Sequence, residues 1–141
     1  MKSNIGVVAI LFVVLFSCDS TDEKTEELSY QLTKKELLIR EQKNPADFLN
    51  ITGTDKRNVL GQTVVKGKIS NKATVAIFKD VDVELSFFSK TKALLEKDKE
   101  TIFEQLKPGE VKDFKTKYFA PKGTDSVALK ILGAKIVAVE M

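Results

Sequence analysis

The sequence predicts an all-β domain, a small antiparallel sandwich, on three observations. From Ala46 onward apolar and polar residues alternate, most cleanly in Val65-Lys66-Gly67-Lys68-Ile69 and Val81-Asp82-Val83-Glu84-Leu85-Ser86-Phe87. A period of two places one set of side chains inside and the other in water, as in antiparallel sheets with a wet outer face. Turn signals then recur at short intervals: Ser70-Asn71-Lys72, Lys107-Pro108-Gly109, Pro121-Lys122-Gly123 and Gly133. No helical period intervenes. Strands are expected at Phe48–Gly53, 65–69, 81–87, Thr101–Leu106, Val111–Ala120, Ser126–Leu132 and Ala134–Val139, seven in all. Seven short strands at this spacing describe a sandwich of immunoglobulin-like type over residues 45–141.

The chain opens with Met1-Lys2-Ser3-Asn4, one positive charge, followed by an apolar run from Ile5 to Phe16 and then small Ser17. This order describes a secretory signal peptide over residues 1–17. The apolar run has about twelve residues against the roughly twenty that a membrane-spanning helix needs. The segment Leu15-Phe16-Ser17-Cys18 resembles the lipobox of bacterial lipoproteins, although Phe16 is bulkier than the pattern's usual residue. That resemblance implies cleavage between Ser17 and Cys18 and lipidation of Cys18. It also implies residence in the envelope of a Gram-negative bacterium, held at the membrane, the outer one by preference, through covalent lipid. An ordinary signal peptide with an incidental cysteine is the alternative. Asp19 also resembles the inner-membrane retention residue of enteric bacteria.

Residues 18–44 form the expected tether. Residues 19–27 hold five acids and one lysine, a composition that stays solvated. They resemble the acidic export tags that carry some lipoproteins to the cell surface. Leu28 to Lys43 reads as a helix, with Thr33-Lys34-Lys35-Glu36 at capping-box spacing and Asn44-Pro45 as its stop. Leu28, Leu32 and Ile39 would form a narrow apolar stripe; a strand over residues 28–32 competes.

The sandwich's inner layer should hold Val65, Ile69, Val81, Val83, Leu85, Phe87, Ile102, Leu106, Phe114, Val127, Leu129 and Ile131. The series Gly67-x-Ile69-x-Asn71, Val81-x-Val83-x-Leu85-x-Phe87-Phe88, Leu106-x-Pro108-Gly109 and Phe114 resembles the FxLYD-type domain of bacterial lipoproteins. Phe87-Phe88-Ser89-Lys90 stands where that family has Phe-Tyr-Asp. The resemblance implies a fold and a compartment, and no catalytic residues come with it.

Composition excludes much chemistry. There is no His, and Cys18 is the only cysteine. Without His no Ser-His-Asp site is possible, once Cys18 is acylated no thiolate or disulfide remains, and no P-loop, GxGxxG or GxSxG is present. No cofactor and no metal are expected. Asp80, Asp82 and Glu84 lie on one strand face, where a pairing of 81–87 with 65–69 would set Lys66 opposite Glu84 and Lys68 opposite Asp82. Positions 28–141 carry 21 basic and 15 acidic residues. With Trp absent, most of the nine Phe on core faces or in the signal segment, and the lysines spread through every strand, these lysines read as a solvated surface, or as a face resting on a phosphate-rich leaflet, and no nucleic-acid partner is expected.

The expected function is that of a monomeric, non-catalytic envelope lipoprotein. It would bind a protein or glycan through Ser70–Val75, Lys90–Leu94 and Pro121–Asp125; a small carboxylate-based hydrolase is the alternative. Asp19-Ser20-Thr21 and Asp125-Ser126-Val127 look like a three-residue O-glycosylation motif, and Asn50-Ile51-Thr52 fits the N-glycosylation sequon.

Overall fold

The computed structural model describes residues 21–137. In chain order they form α1 (Thr21–Lys43), α2 (Pro45–Phe48), β1 (Leu49–Arg57), β2 (Thr63–Asn71), β3 (Phe78–Ser89), β4 (Leu94–Leu106), β5 (Val111–Tyr118) and β6 (Thr124–Ile136). All strand pairs are antiparallel, in two three-stranded sheets ordered β1-β2-β5 and β4-β3-β6. The all-β sandwich expected from the alternation is therefore present, with six described strands instead of seven. Ser126–Leu132 and Ala134–Ile136 are one strand, because Gly133 does not turn the chain. It pairs with Asp82, and Leu132 is taken up as a bulge between that pair and Val83–Ile131.

The expected inner layer is the observed one. Val65, Ile69, Val81, Val83, Leu85, Phe87, Leu106 and Ile131 are buried, and Ile102, Phe114, Val127 and Leu129 are half-buried against them. Phe78, Ala73 and Ala76 join the core as well. Phe78 escapes a strict period of two because Asp80, at φ 48°, bulges the strand between it and Val81.

Strand partners depart from expectation. β2 and β3 lie in different sheets, so Lys66 does not face Glu84, nor Lys68 Asp82. Glu84 instead binds Lys97 of β4 at 3.0 Å, and Asp82 accepts from the Thr101 hydroxyl at 2.6 Å. The bulge also takes Asp80 out of phase with Asp82 and Glu84; its carboxylate meets Lys135 at 3.1 Å. At one side of the sandwich the edge strands β4 and β5 are joined by side chains: Lys112 to Glu104 at 3.2 Å, and the Thr116 hydroxyl to Glu100 at 2.7 and 2.6 Å. Charged side chains turned inward on an edge strand block pairing with a further strand.

The helix begins earlier than expected. It runs from Thr21, so residues 21–27 are helical, and Thr33 is an interior residue whose hydroxyl donates to the Ser29 carbonyl at 3.0 Å. Leu28, Leu32 and Ile39 are exposed and form no buried stripe. Contact with the sandwich comes from Leu38 and Glu41, both buried. The Glu41 carboxylate accepts backbone N–H groups from Thr74 at 2.6 Å, Val75 at 2.9 Å and Ala76 at 2.7 Å. The folded body thus takes in the last turns of α1, ahead of the expected boundary at residue 45. Beneath this contact Asn71 is fully buried and fully bonded. Its Nδ2 donates to the carbonyls of Ala76 (2.9 Å) and Leu106 (3.0 Å), and its Oδ1 accepts from Ala73 N–H (2.8 Å).

Gly67 marks the closest approach within the sheet. A Cβ there would overlap the Thr52 carbonyl oxygen and come within 2.9 Å of the Phe114 ring. Gly67→Ala should cost about 3 kcal/mol, the upper range for overpacking. Urea denaturation of the variant checks this, and an unchanged midpoint would mean that β1 and β2 are spaced more widely.

Candidate functional site

Ser17, Cys18 and Ser20 lie outside the described residues. Of the other singled-out positions, Ser126 is half-buried within β6 opposite Phe88, and Asn50 and Thr52 are exposed on the outer face of β1. Among the described residues no group of three or more His, Cys, Asp or Glu side chains is arranged to hold a metal ion. No helix there is long and apolar enough to cross a membrane.

Asp82 and Glu100, two of the acids among the described residues, line one shallow cleft of about 330 Å³ without facing each other. Their cross-strand partners, Thr101 and Val83, are sequence neighbours of the other pair, so the two acids project to opposite faces of the sheet. Each is also engaged by a threonine hydroxyl. Glu84 is held below the usual carboxylate range, first by its hydrogen bond from Lys97, with Lys130 and Lys99 adding to the effect. That is ion pairing on a solvated face.

The three loops expected to act together do not share one end. Pairing of Ser89 with Thr124 sets Lys90–Leu94 and Pro121–Asp125 side by side. Ser70–Val75 is at the other end, under α1, with Ala73 buried and the N–H groups of Thr74 and Val75 occupied by Glu41. At the end shared by the other two lies a further loop, Asn58–Gln62, between β1 and β2. Asn58 Oδ1 accepts from Leu60 N–H (3.0 Å) and Gln62 N–H (2.9 Å), and Asn58 Nδ2 donates to Gln62 Oε1 (3.0 Å). Gly61 supplies the positive φ of 77°. This bonded turn holds Val59 and Leu60 out in solvent, at 102% and 75% exposure, while Phe119 at the end of β5 is 81% exposed. Three large apolar side chains so exposed at one end have no role in the core.

Next to this tip lies the outer face of sheet β1-β2-β5. Its register makes one cross-strand row of Lys56, Val64 and Lys117, and a second of Thr54, Lys66 and Lys115. Lys66 and Lys115 are directly opposite, an arrangement that costs stability in the absence of an anion. Only the third row, Thr52, Lys68 and Asp113, holds an acid, and there Lys68 and Asp113 approach to 3.8 Å. Lys56, Lys66, Lys115 and Lys117 line a shallow cleft of about 580 Å³ together with Val59 and Arg57. Lysines that look scattered along the sequence are thus gathered by register. Those on the opposite sheet differ: Lys97, Lys99 and Lys130 surround Glu84.

Comparison of the chain with protein-family models, with characterised proteins and with solved structures finds no match. The chemistry of the site is therefore read from its own side chains. A signal for it was available in the sequence as Val59-Leu60-Gly61, an apolar pair before a turn glycine outside any alternating run. The lysine rows needed the strand order.

Proposed function

We propose that the chain is a non-catalytic, lipid-anchored envelope protein, attached through Cys18, whose sandwich presents its far end to a protein or glycan partner. The observation supporting this is the polarity of the domain. The helix that leads back toward Cys18 joins the body beside Thr74–Ala76. Lys90–Leu94 and Pro121–Asp125 are gathered at the opposite end of the strands. Loops on a rigid β-scaffold are the usual seat of recognition. Two acyl chains hold a protein stably at a membrane where one is marginal.

Two measurements test the reading. Cys18→Ala should move the protein from the membrane fraction to soluble or uncleaved forms; membrane residence at the normal mature mass would contradict the anchor. Mature protein should capture one defined partner from envelope extracts, and Lys92→Glu with Lys122→Glu should abolish that capture. Equal capture by the variant would place the partner elsewhere.

A further inference from the structure

We infer that the lysine rows of sheet β1-β2-β5 and the Val59–Leu60–Phe119 tip form a second binding site, for the surface of an anionic phospholipid bilayer. This goes beyond the partner reading and requires neither an acyl chain nor the Lys90–Leu94 loop. Charge selects the occupant. Lys56, Lys66, Lys115 and Lys117 lie in adjoining rows, and among the described residues no acid lines their cleft and none of the four takes part in an ion pair. The direct Lys66–Lys115 opposition is unfavourable in water and is relieved by phosphate groups on its outer side.

The apolar residues decide between a lipid surface and a soluble polyanion. Val59 lines the same cleft as the four lysines. Phe119, 81% exposed, follows directly on the end of β5 at the same end of the sheet, two residues beyond Lys117. Thr63 pairs with Tyr118, so the Asn58–Gln62 turn and Phe119 leave the sheet at the same end. A free glycan gives these side chains nothing to bury in, whereas a bilayer places acyl chains just beneath its phosphates. Asn58 holds the turn through both of its side-chain polar atoms, so its exposed residues are pre-positioned and little order is lost on insertion. The arrangement is an apolar tip rimmed by cations, as at the membrane-facing side of interfacial elements.

The test uses the mature chain from residue 18 onward with Cys18→Ser, so that no acyl chain contributes. Binding is measured by flotation with phosphatidylglycerol/phosphatidylethanolamine vesicles and with phosphatidylcholine vesicles, at low and high salt. Each lysine near an anionic surface is worth roughly five-fold in binding, so Lys66→Gln with Lys115→Gln should weaken binding to the anionic vesicles about 25-fold. Leu60→Ser with Phe119→Ser should weaken it at both salt concentrations, since the lost contribution is not Coulombic. Lys97→Gln with Lys99→Gln, on the opposite sheet, should leave binding unchanged. Three results would overturn the inference: no anionic-vesicle binding by the parent chain, equal losses from either lysine pair, or no effect of the apolar pair. Retention on a sulfated polysaccharide without vesicle binding would assign the lysine rows to a soluble polyanion instead. Because the anchor is absent throughout, failure here is distinguishable from failure of the Cys18 reading.

Discussion

Val83→Asp is expected to leave the protein largely unfolded. Val83 is 2% exposed, in the middle of the central strand β3, with Glu100 and Ile131 as its cross-strand partners. Its cross-strand neighbours on the inner face are Ile131, which cannot compensate a carboxylate, and Glu100, which is itself an acid. An unpaired buried charge costs about 3–5 kcal/mol in practice, comparable to the whole stability of a small domain. Asp82→Ser, one residue away on the wet face, should lose only the Thr101 hydrogen bond, on the order of 1 kcal/mol. Thermal melts of the two variants decide the matter, and a reversed order would mean that the faces of β3 are assigned backwards.

Removing the Glu41 carboxylate should release the helix. Burial by itself would raise the pKa of Glu41, but hydrogen bonds from Ala76, Thr74 and Val75 outweigh it and hold the group below its ordinary 4.5. Glu41→Ala leaves those three N–H groups without an acceptor. Buried donors left unsatisfied cost about 1–3 kcal/mol each, and water entering the vacated space offsets part of this, so a loss of about 3–4 kcal/mol is expected. The sign of the pH dependence follows from the lowered pKa. The folded state binds the proton less readily than the unfolded chain does, so the contribution is complete well above 4.5 and is lost as pH falls through the lower folded value. Glu41→Gln keeps an acceptor oxygen but cannot titrate. Its stability deficit against the parent should therefore shrink on acidification from about pH 6 to about pH 3. A deficit constant over that range would show that Glu41 is not bound as a carboxylate.

These variants also mark how far the fold was legible in the sequence. A period of two identifies which residues of a strand point inward, and for 65–69 and 81–87 that assignment matches the observed burial. It says nothing about which strand lies alongside. Lysines occur on most strands, so Glu84 finds an apparent partner in Lys66 as readily as in Lys97, and charge complementarity does not discriminate between them. Bulges are invisible to a strict period, which therefore leaves Phe78 out of the core, sets Asp80 in phase with Asp82 and Glu84, and divides β6 at Gly133. The Thr33–Glu36 spacing imitated a helix start, while the true helix extends back over an acidic stretch whose composition reads as coil. Glu41 is flanked by Arg40 and Gln42 and looks like any solvated helix position; its burial depends on a loop more than thirty residues later. The loops at the end away from α1 were partly legible: Lys90–Leu94 and Pro121–Asp125 follow alternating runs, whereas Asn58–Gln62 lies outside any such run. The basic face was not legible at all, because it exists only once β1, β2 and β5 are side by side.

The central claim is that this sandwich is an envelope module held by lipid at Cys18, and the intact mass of protein extracted from native membranes tests it most directly. The expected chain begins at Cys18 and carries a thioether-linked diacylglycerol, with the added mass confined to the N-terminal peptide. A chain with a free Cys18 thiol, or one whose first residue is any other, would contradict it.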